Sequence, residues 1–149
     1  MKPLSDPRRF LRDEELDVGI TLILGAERRL AGIMSQMADE VGLSPTDLRL
    51  LMTIHGEPGL TVRGLRRRMV ATVPTLARQL GDLDKRGLID RRQSAEDRRE
   101  RAVHLSEEGE ARLAPILSAL RSALRDAYRA AGVEAVGGTR DVLGVIAKV

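Results

Sequence analysis

The 149-residue chain has no cysteine and no tryptophan, and Phe10 and Tyr128 are its only aromatic residues. Without thiols, disulfides, thiolate zinc sites and thiol redox sensing are excluded. Single-stranded nucleic acid is held largely by bases stacked on aromatic faces, so that binding mode is disfavoured. The only imidazoles are His55 and His104. A metal site would therefore depend mostly on carboxylates, and neither a metal nor another cofactor is expected. No Gly-rich loop following a strand, no nucleophile elbow and no H-E-x-x-H is found. Paired acids such as Glu14-Glu15 and Glu107-Glu108 stand at helix starts, where the helix dipole accounts for them, so an enzyme is not expected. The N-terminus lacks the apolar core of a signal peptide, and no uncharged apolar run approaches about eighteen residues. The reading is a soluble cytoplasmic protein with no membrane partner. Lysine is scarce too, leaving arginine to carry the positive charge. Its planar fork suits phosphate and guanine, although codon bias in a GC-rich genome gives the same excess.

What is present is unevenly spread. Residues 61–106 hold twelve Arg or Lys against six Asp or Glu, a local +6 inside a chain of net charge +3. The first sixty residues hold seven basic against ten acidic, and the last forty-three hold six of each. A concentrated positive field attracts a polyanion such as DNA. An ordinary charged face is the competing reading, and the order of elements decides between them.

Residues 1–13 carry Pro3, Pro7 and mixed charge and read as an extended arm. A helical pattern follows over 14–41, with Leu16, Ile20, Ile23, Leu24, Leu30, Met34, Met37 and Val41 recurring at threes and fours. Val18, Leu22, Ala26 and Ile33 add apolar positions on other sides, so this helix needs two partners. One of them is a second chain unless its own core covers everything. Gly42 ends the helix, and Ser44-Pro45 opens the next with an N-cap and a first-turn proline. Leu48, Leu51, Met52 and His55 form its inner side, and residues 56–59 close it. Leu60-Thr61-Val62 is short enough for a single strand rung, and Thr61 caps a third helix over 62–69.

Thr72 caps a fourth helix that tolerates Pro74 in its first turn. Leu76, Leu80 and Leu83 face the core, while Thr75, Arg78, Gln79 and Asp82 lie opposite. Gly87 supplies a positive-φ stop with Leu88 packed beyond it. Two helices joined by a tight turn, the second amphipathic with a polar outer face, fit a helix-turn-helix that seats its second helix in a major groove. Residues 88–92 and 101–105 have strand character, anchored by Ile89, Val103 and Leu105. Between them a polar tip rich in arginine forms a wing suited to a minor groove. Ser106 and the acids after it start a long helix whose stripe is Leu113, Ile116, Leu117, Leu120 and Leu124, with Pro115 as a kink. After Ala131-Gly132, only residues 140–148 read as helix, because Gly137-Gly138 interrupts the tail.

The segments LSPTDLRLLMTI, LTVRGL, TVPTLARQLGDLDKRGLIDRR and EDRRERAVHLSEEGEARL resemble the MarR family of winged-helix transcription regulators, over about half the chain. The K-R-G-L close of the fourth helix, the D-x-R wing and the V-x-L-S/T-x-x-G that follows are specific in combination. The resemblance implies a mainly α fold with a small β-wing, a winged helix-turn-helix dimerised through its N- and C-terminal helices. The chain then divides into an N-terminal arm and dimerisation helix (1–43), a DNA-binding lobe (44–105) and C-terminal dimerisation helices (106–149). It implies a homodimer on a pseudo-palindromic double-stranded operator, with repression relieved by a small effector such as an aromatic or other organic anion.

Residue by residue, Thr75 and Arg78 match the family's base-contacting positions, with Val73, Pro74 and Ala77 lining the same edge, and Thr72 and Gln79 are further candidate DNA contacts. Asp97 and Arg99 match the wing's D-x-R, in which the acid braces an arginine entering the minor groove, and Arg98 lies between them. The third helix departs from the pattern, with Gly64 where an acid is common, Arg66 where alanine is common and Val70 where glycine usually ends the helix. Arg78 reads guanine, meets phosphate or is solvated; Arg66 and Arg67 contact phosphate or form a solvated charge run. Arg91 and Arg92 flank the wing base, one of them touching backbone. His104 alternates with Val103 and Leu105 and faces solvent. His55, with Met52 and Arg49, lies near the joint where family ligands bind, though a satisfied half-buried histidine is the simpler reading of His55. The competing function is a winged-helix protein-interaction module without an operator, against which the +6 segment counts.

Overall fold

The computed structural model describes residues 11–69, 72–94 and 100–147. The expected N-terminal arm lies almost wholly outside these residues, as do Asp97, Arg98 and Arg99 of the wing tip. In chain order the elements are α1 (Asp13–Ala38), α2 (Pro45–Gly56), α3 (Val62–Met69), α4 (Val73–Lys85), β1 (Ile89–Gln93), β2 (Arg101–Leu105), α5 (Glu107–Ala131) and α6 (Val133–Ile146). This is the mainly α winged helix-turn-helix expected.

Local signals set most boundaries. α1 stops at Ala38, three residues before the apolar pattern runs out, because Gly42 at φ 66 turns the chain and Leu43 N–H closes on the Ala38 carbonyl at 3.0 Å. Ser44 and Asp47 form a reciprocal capping box at α2, the serine oxygen accepting from Asp47 N–H at 3.1 Å. Thr61 caps α3 through Gly64 N–H at 3.2 Å. Thr72 behaves differently from expectation. It is the N-cap residue of α4, but its hydroxyl donates to Thr75 Oγ1 at 2.8 Å instead of taking a backbone N–H. At the other end of α4, Gly87 at φ 68 carries a Schellman closure. Leu88 N–H meets the Leu83 carbonyl at 3.0 Å, and Gly87 N–H meets that of Asp84 at 2.9 Å. α6 runs unbroken through Gly137-Gly138, beginning seven residues before the reading from sequence placed it. Two glycines lower helix propensity by roughly 1 kcal/mol each, which a helix packed against α5 can absorb.

One core unites these elements. Leu48, Leu50, Leu51 and Ile54 of α2, Leu65 of α3, Leu76, Leu80 and Leu83 of α4, and Leu113 and Ile116 of α5 are all essentially inaccessible. Each such side chain contributes roughly 1.5–3 kcal/mol relative to exposure. The inner side of α2 was misassigned from sequence in part. Leu50 and Ile54 are fully buried with Leu48 and Leu51, whereas Met52 and His55 are half-buried at the edge.

The wing is a two-stranded antiparallel sheet registered Ile89 to Leu105 and Arg91 to Val103. Thr61 adds a third rung as a single bridge to Ala102, flanked by Gly59 N–H to Val103 O at 3.1 Å and Val103 N–H to Leu60 O at 2.9 Å. The wing base is thus bonded directly to the α2–α3 loop. Ser106 then welds wing, α4 and α5 together. Its N–H meets the Leu88 carbonyl at 3.1 Å, its hydroxyl donates to the Gly87 carbonyl at 2.6 Å, and its oxygen accepts from Gly109 N–H at 3.0 Å.

Candidate nucleic-acid interface

The exposed face of α4 is built from the side opposite its leucines. Thr72, Val73, Pro74, Thr75, Ala77 and Arg78 are exposed, and Gln79 is half-buried, so every residue proposed for this helix lies off its buried leucine stripe. Three buried leucines behind them fix the helix on the core. An α-helix is roughly 10–12 Å across and the major groove about 12 Å wide, so an exposed helix such as α4 is of a size to enter one. Val73 stays 52 % exposed, an apolar tip suited to a thymine methyl. Among the described residues Arg78 has no ion-pair partner, which leaves its fork free.

The other arginines divide into free and tied. Arg66 and Arg67 on α3 are exposed and, among the described residues, also without a carboxylate partner. Arg68 instead grips Glu57, Nε and Nη2 each donating to one carboxylate oxygen at 2.8 Å. Those hydrogen bonds hold the Glu57 carboxyl below its ordinary value and push Arg68 above its own. Arg91 Nε lies 3.2 Å from Asp84 Oδ2 at the end of α4, so its reach toward DNA requires giving up that carboxylate. Arg92 is the more exposed of the wing pair, 3.3 Å from Asp90 on its own strand.

Sequence reasoning missed two arginines that shape this surface. Arg63 Nη2 meets Glu100 Oε1 at 2.6 Å and fastens α3 to the wing base. Arg86 pairs with Asp47 Oδ2 at 3.1 Å and donates to the Gly42 carbonyl, anchoring the end of α4 to the α1–α2 turn. Both partners are distant in sequence, and only the K-R-G-L signature singled out Arg86.

Beside α4 lies a cleft of about 790 Å³ between α1, α2 and the helix-turn-helix. Arg49 and Met52, proposed as effector contacts, line it together with Glu27, Met34, Arg68 and Thr75. Arg49 is held by Glu27 at 3.0 Å. His55 is not among the lining residues; its Nδ1 lies 3.2 Å from Glu110 Oε2. His104 is half-buried, its ring about a van der Waals distance from where a Cβ on Gly59 would stand. Among the described residues no group of three or more His, Asp or Glu could hold a metal ion, and no helix is long and apolar enough to cross a membrane.

A leucine-backed helix presenting a free arginine, preceded by a basic helix and followed by a two-stranded wing, defines a winged helix-turn-helix DNA-binding protein. The model of the MarR family matches residues 41–100. The HTH-type transcriptional regulator PetP of Rhodobacter capsulatus is 37 % identical over 141 residues, spanning 95 % of this chain and 85 % of that protein. The chain belongs to the MarR family and is a transcriptional regulator of that family. Among solved structures, a probable transcriptional regulator from Pseudomonas aeruginosa is 30 % identical, with a TM-score of 0.56 over 88 % of this chain and 98 % of that one. NadR, solved in complex with 4-hydroxyphenylacetate, shares the fold at a TM-score of 0.72 and 22 % identity, covering 89 % and 93 % of the two chains.

Proposed function

We propose that this regulator acts as a homodimeric repressor on a pseudo-palindromic operator, released by a small organic anion. The observation that carries the DNA-reading part is the exposed face of α4, with Arg78 unpaired among the described residues and Leu76, Leu80 and Leu83 buried behind it. Each protomer seats residues 72–86 in a major groove, and half-sites lie about one helical turn apart. Thr75 and Arg78 contact bases, and Arg66, Arg67 and Arg92 meet phosphate. The wing tip with Asp97, Arg98 and Arg99 reaches the flanking minor groove.

The exposed apolar surface supports the homodimer. Among the described residues, all the large exposed hydrophobic ones but Val73 belong to α1, the residue Leu11 ahead of it, α5 or α6. Residues 1–43 and 106–149 therefore serve as the dimerisation elements around a lobe spanning 44–105. The effector sits in the cleft beside α4, where Arg49 exchanges Glu27 for its anionic group and Met34, Met52 and Met69 meet its apolar part. Thr75 and Gln79 line the same cleft, so an occupant touches the recognition helix directly. The aromatic anion bound by NadR is a ligand of the proposed chemistry.

The test is a gel shift on the region upstream of the protein's own gene, with scrambled competitor. Arg78→Ala is expected to weaken operator binding by roughly 1–3 kcal/mol while leaving non-specific binding unchanged. Equal loss on scrambled DNA would reduce Arg78 to a phosphate contact, and no preference for any duplex would overturn the reading. Phenolic acids titrated into the complex should release DNA from the wild type.

A further inference from the structure

An α-helix leaves its last carbonyls without partners and ends in partial negative charge, which a basic residue in the last turn often meets. α1 has no basic residue there, and Asp39 and Glu40 follow it. The cations come from two other elements instead. Arg112 of α5 donates from Nη1 to the Val41 carbonyl at 3.4 Å, its Nε held by Glu108 at 2.7 Å. Arg86, at the end of α4, donates from Nη2 to the next carbonyl, that of Gly42. Its Nη1 lies 3.1 Å from Asp47 Oδ2, the same oxygen that accepts the Ser44 N–H of the α2 capping box at 3.3 Å. The turn between α1 and α2 is thus gripped by guanidinium groups from both α4 and α5.

α4 is fastened at that end and not at the other. Among the described residues, no side chain of α4 ahead of Asp84 forms a hydrogen bond or ion pair with another element. Only its leucines hold that part to the core. Apolar burial is non-directional, so it resists separation of a helix from the core more than it resists tilt. Hydrogen bonds prefer set directions, and those of Arg86 oppose tilt. Thr75 stands eleven residues before Arg86, which is about 16 Å along the helix axis. A swing of about 12° at the joint therefore carries Thr75 about 3.4 Å, the rise of one base pair.

We propose that Arg86 is a positioning residue: bound to Gly42 and Asp47, it fixes the angle between α4 and α1 and so sets the half-site spacing that the protein accepts. This rests on the paired half-sites proposed above and names the contact that holds their separation. Arg86 acts here through the α1–α2 turn, on the side chains that α4 presents further along.

The test uses duplexes selected by the wild type from a random library, then remade with one base pair added or removed between half-sites. Wild type should bind the respaced duplexes on the order of tenfold more weakly. Arg86→Ala should shrink that preference to about threefold or less. Asp47→Asn, which keeps an oxygen for the Ser44 N–H, should shrink it too while binding a single half-site as wild type does. The double variant should be no less discriminating than Arg86→Ala alone, because both changes remove one contact. Circular dichroism checks that each variant is folded under the binding conditions. Folded variants that keep the wild-type preference overturn the role of Arg86 and leave the paired half-sites standing. Equal weakening of Arg86→Ala on every duplex, with a salt dependence shallower by about one unit of slope, overturns it too and makes Arg86 a phosphate contact. A wild type indifferent to spacing overturns the paired half-sites themselves.

Discussion

Replacing Gly109 by alanine should damage this protein more than any other single methyl addition to its helices. A Cβ there would stand 2.1 Å from the Leu88 carbonyl oxygen and 3.1 Å from its carbon, both backbone atoms with no rotamer to yield. An ordinary carbon–oxygen contact is about 3.3 Å, so α5 and the start of β1 must separate by about 1.2 Å. Moving them strains the Ser106 N–H bond to Leu88 and the Ser106 cap on Gly109. A net hydrogen bond is worth about 1 kcal/mol and an N-cap about the same. Loosened packing at Leu113 adds to that, while alanine's helix propensity returns up to about 1 kcal/mol. A net destabilisation of roughly 2–4 kcal/mol follows, or on the order of 5–15 °C in Tm for a chain of this length. Urea unfolding followed by circular dichroism at fixed protomer concentration measures it. Gly81→Ala is the control, because nothing lies within 4 Å of its Cβ position and the same methyl should stabilise there by up to about 1 kcal/mol. If Gly109→Ala matched or exceeded wild type in stability, the close approach of α5 to Leu88 would be wrong.

Arg86→Ala removes the ties to Asp47 and to the Gly42 carbonyl, and a loss of about 1–2 kcal/mol is expected in the same unfolding assay. Arg91→Ala should act through its contact with Asp84, lowering Tm more than it lowers operator affinity, the reverse of Arg78→Ala. The Arg68 hydrogen bonds lower the Glu57 carboxyl from its ordinary 4.5, so its contribution is present above that value and fades as pH falls through the lowered one. The stability difference between wild type and Glu57→Gln should therefore be greatest near neutrality and vanish in acid; a difference that grew in acid would contradict the pairing.

What the sequence disclosed was what repeats at short range. The spacing of Leu76, Leu80 and Leu83, the caps at Ser44, Thr61 and Ser106, and the stop at Gly87 each depend on residues within a few positions, and the structure has each in place. Misassignments arose where tertiary packing overrides local pattern. Gly137-Gly138 reads as a break but is carried within α6, which packs on α5. Leu50 and Ile54 fell outside the expected stripe of α2 because that helix is covered on several sides, by α1, α3, α5 and β2. The strict need for glycine at position 109 was present only as the last letter of a family signature. Its cause is a carbonyl 21 residues earlier in the chain.

Charge was the least legible quantity, because a residue count cannot tell a tied arginine from a free one. The basic stretch owes much of its excess to side chains whose charge is spent within the fold, namely Arg63 on Glu100, Arg68 on Glu57, Arg86 on Asp47 and Arg91 on Asp84. Three of these partners stand on other elements or loops outside the helix-turn-helix, so the pairs act as struts that hold α3, α4 and the wing in fixed relation. Among the described residues, the basic side chains of the stretch without a carboxylate partner are Arg66 and Arg67 on α3, Arg78 and Lys85 on α4 and Arg101 on β2, four of the five within the helix-turn-helix. A field concentrated there attracts phosphate to the end of α4 that carries Thr75, where base contacts are short enough to discriminate. The tied arginines set the geometry and the free ones supply the attraction. A substitution in the first group should therefore register in unfolding experiments, and one in the second in the salt dependence of DNA binding.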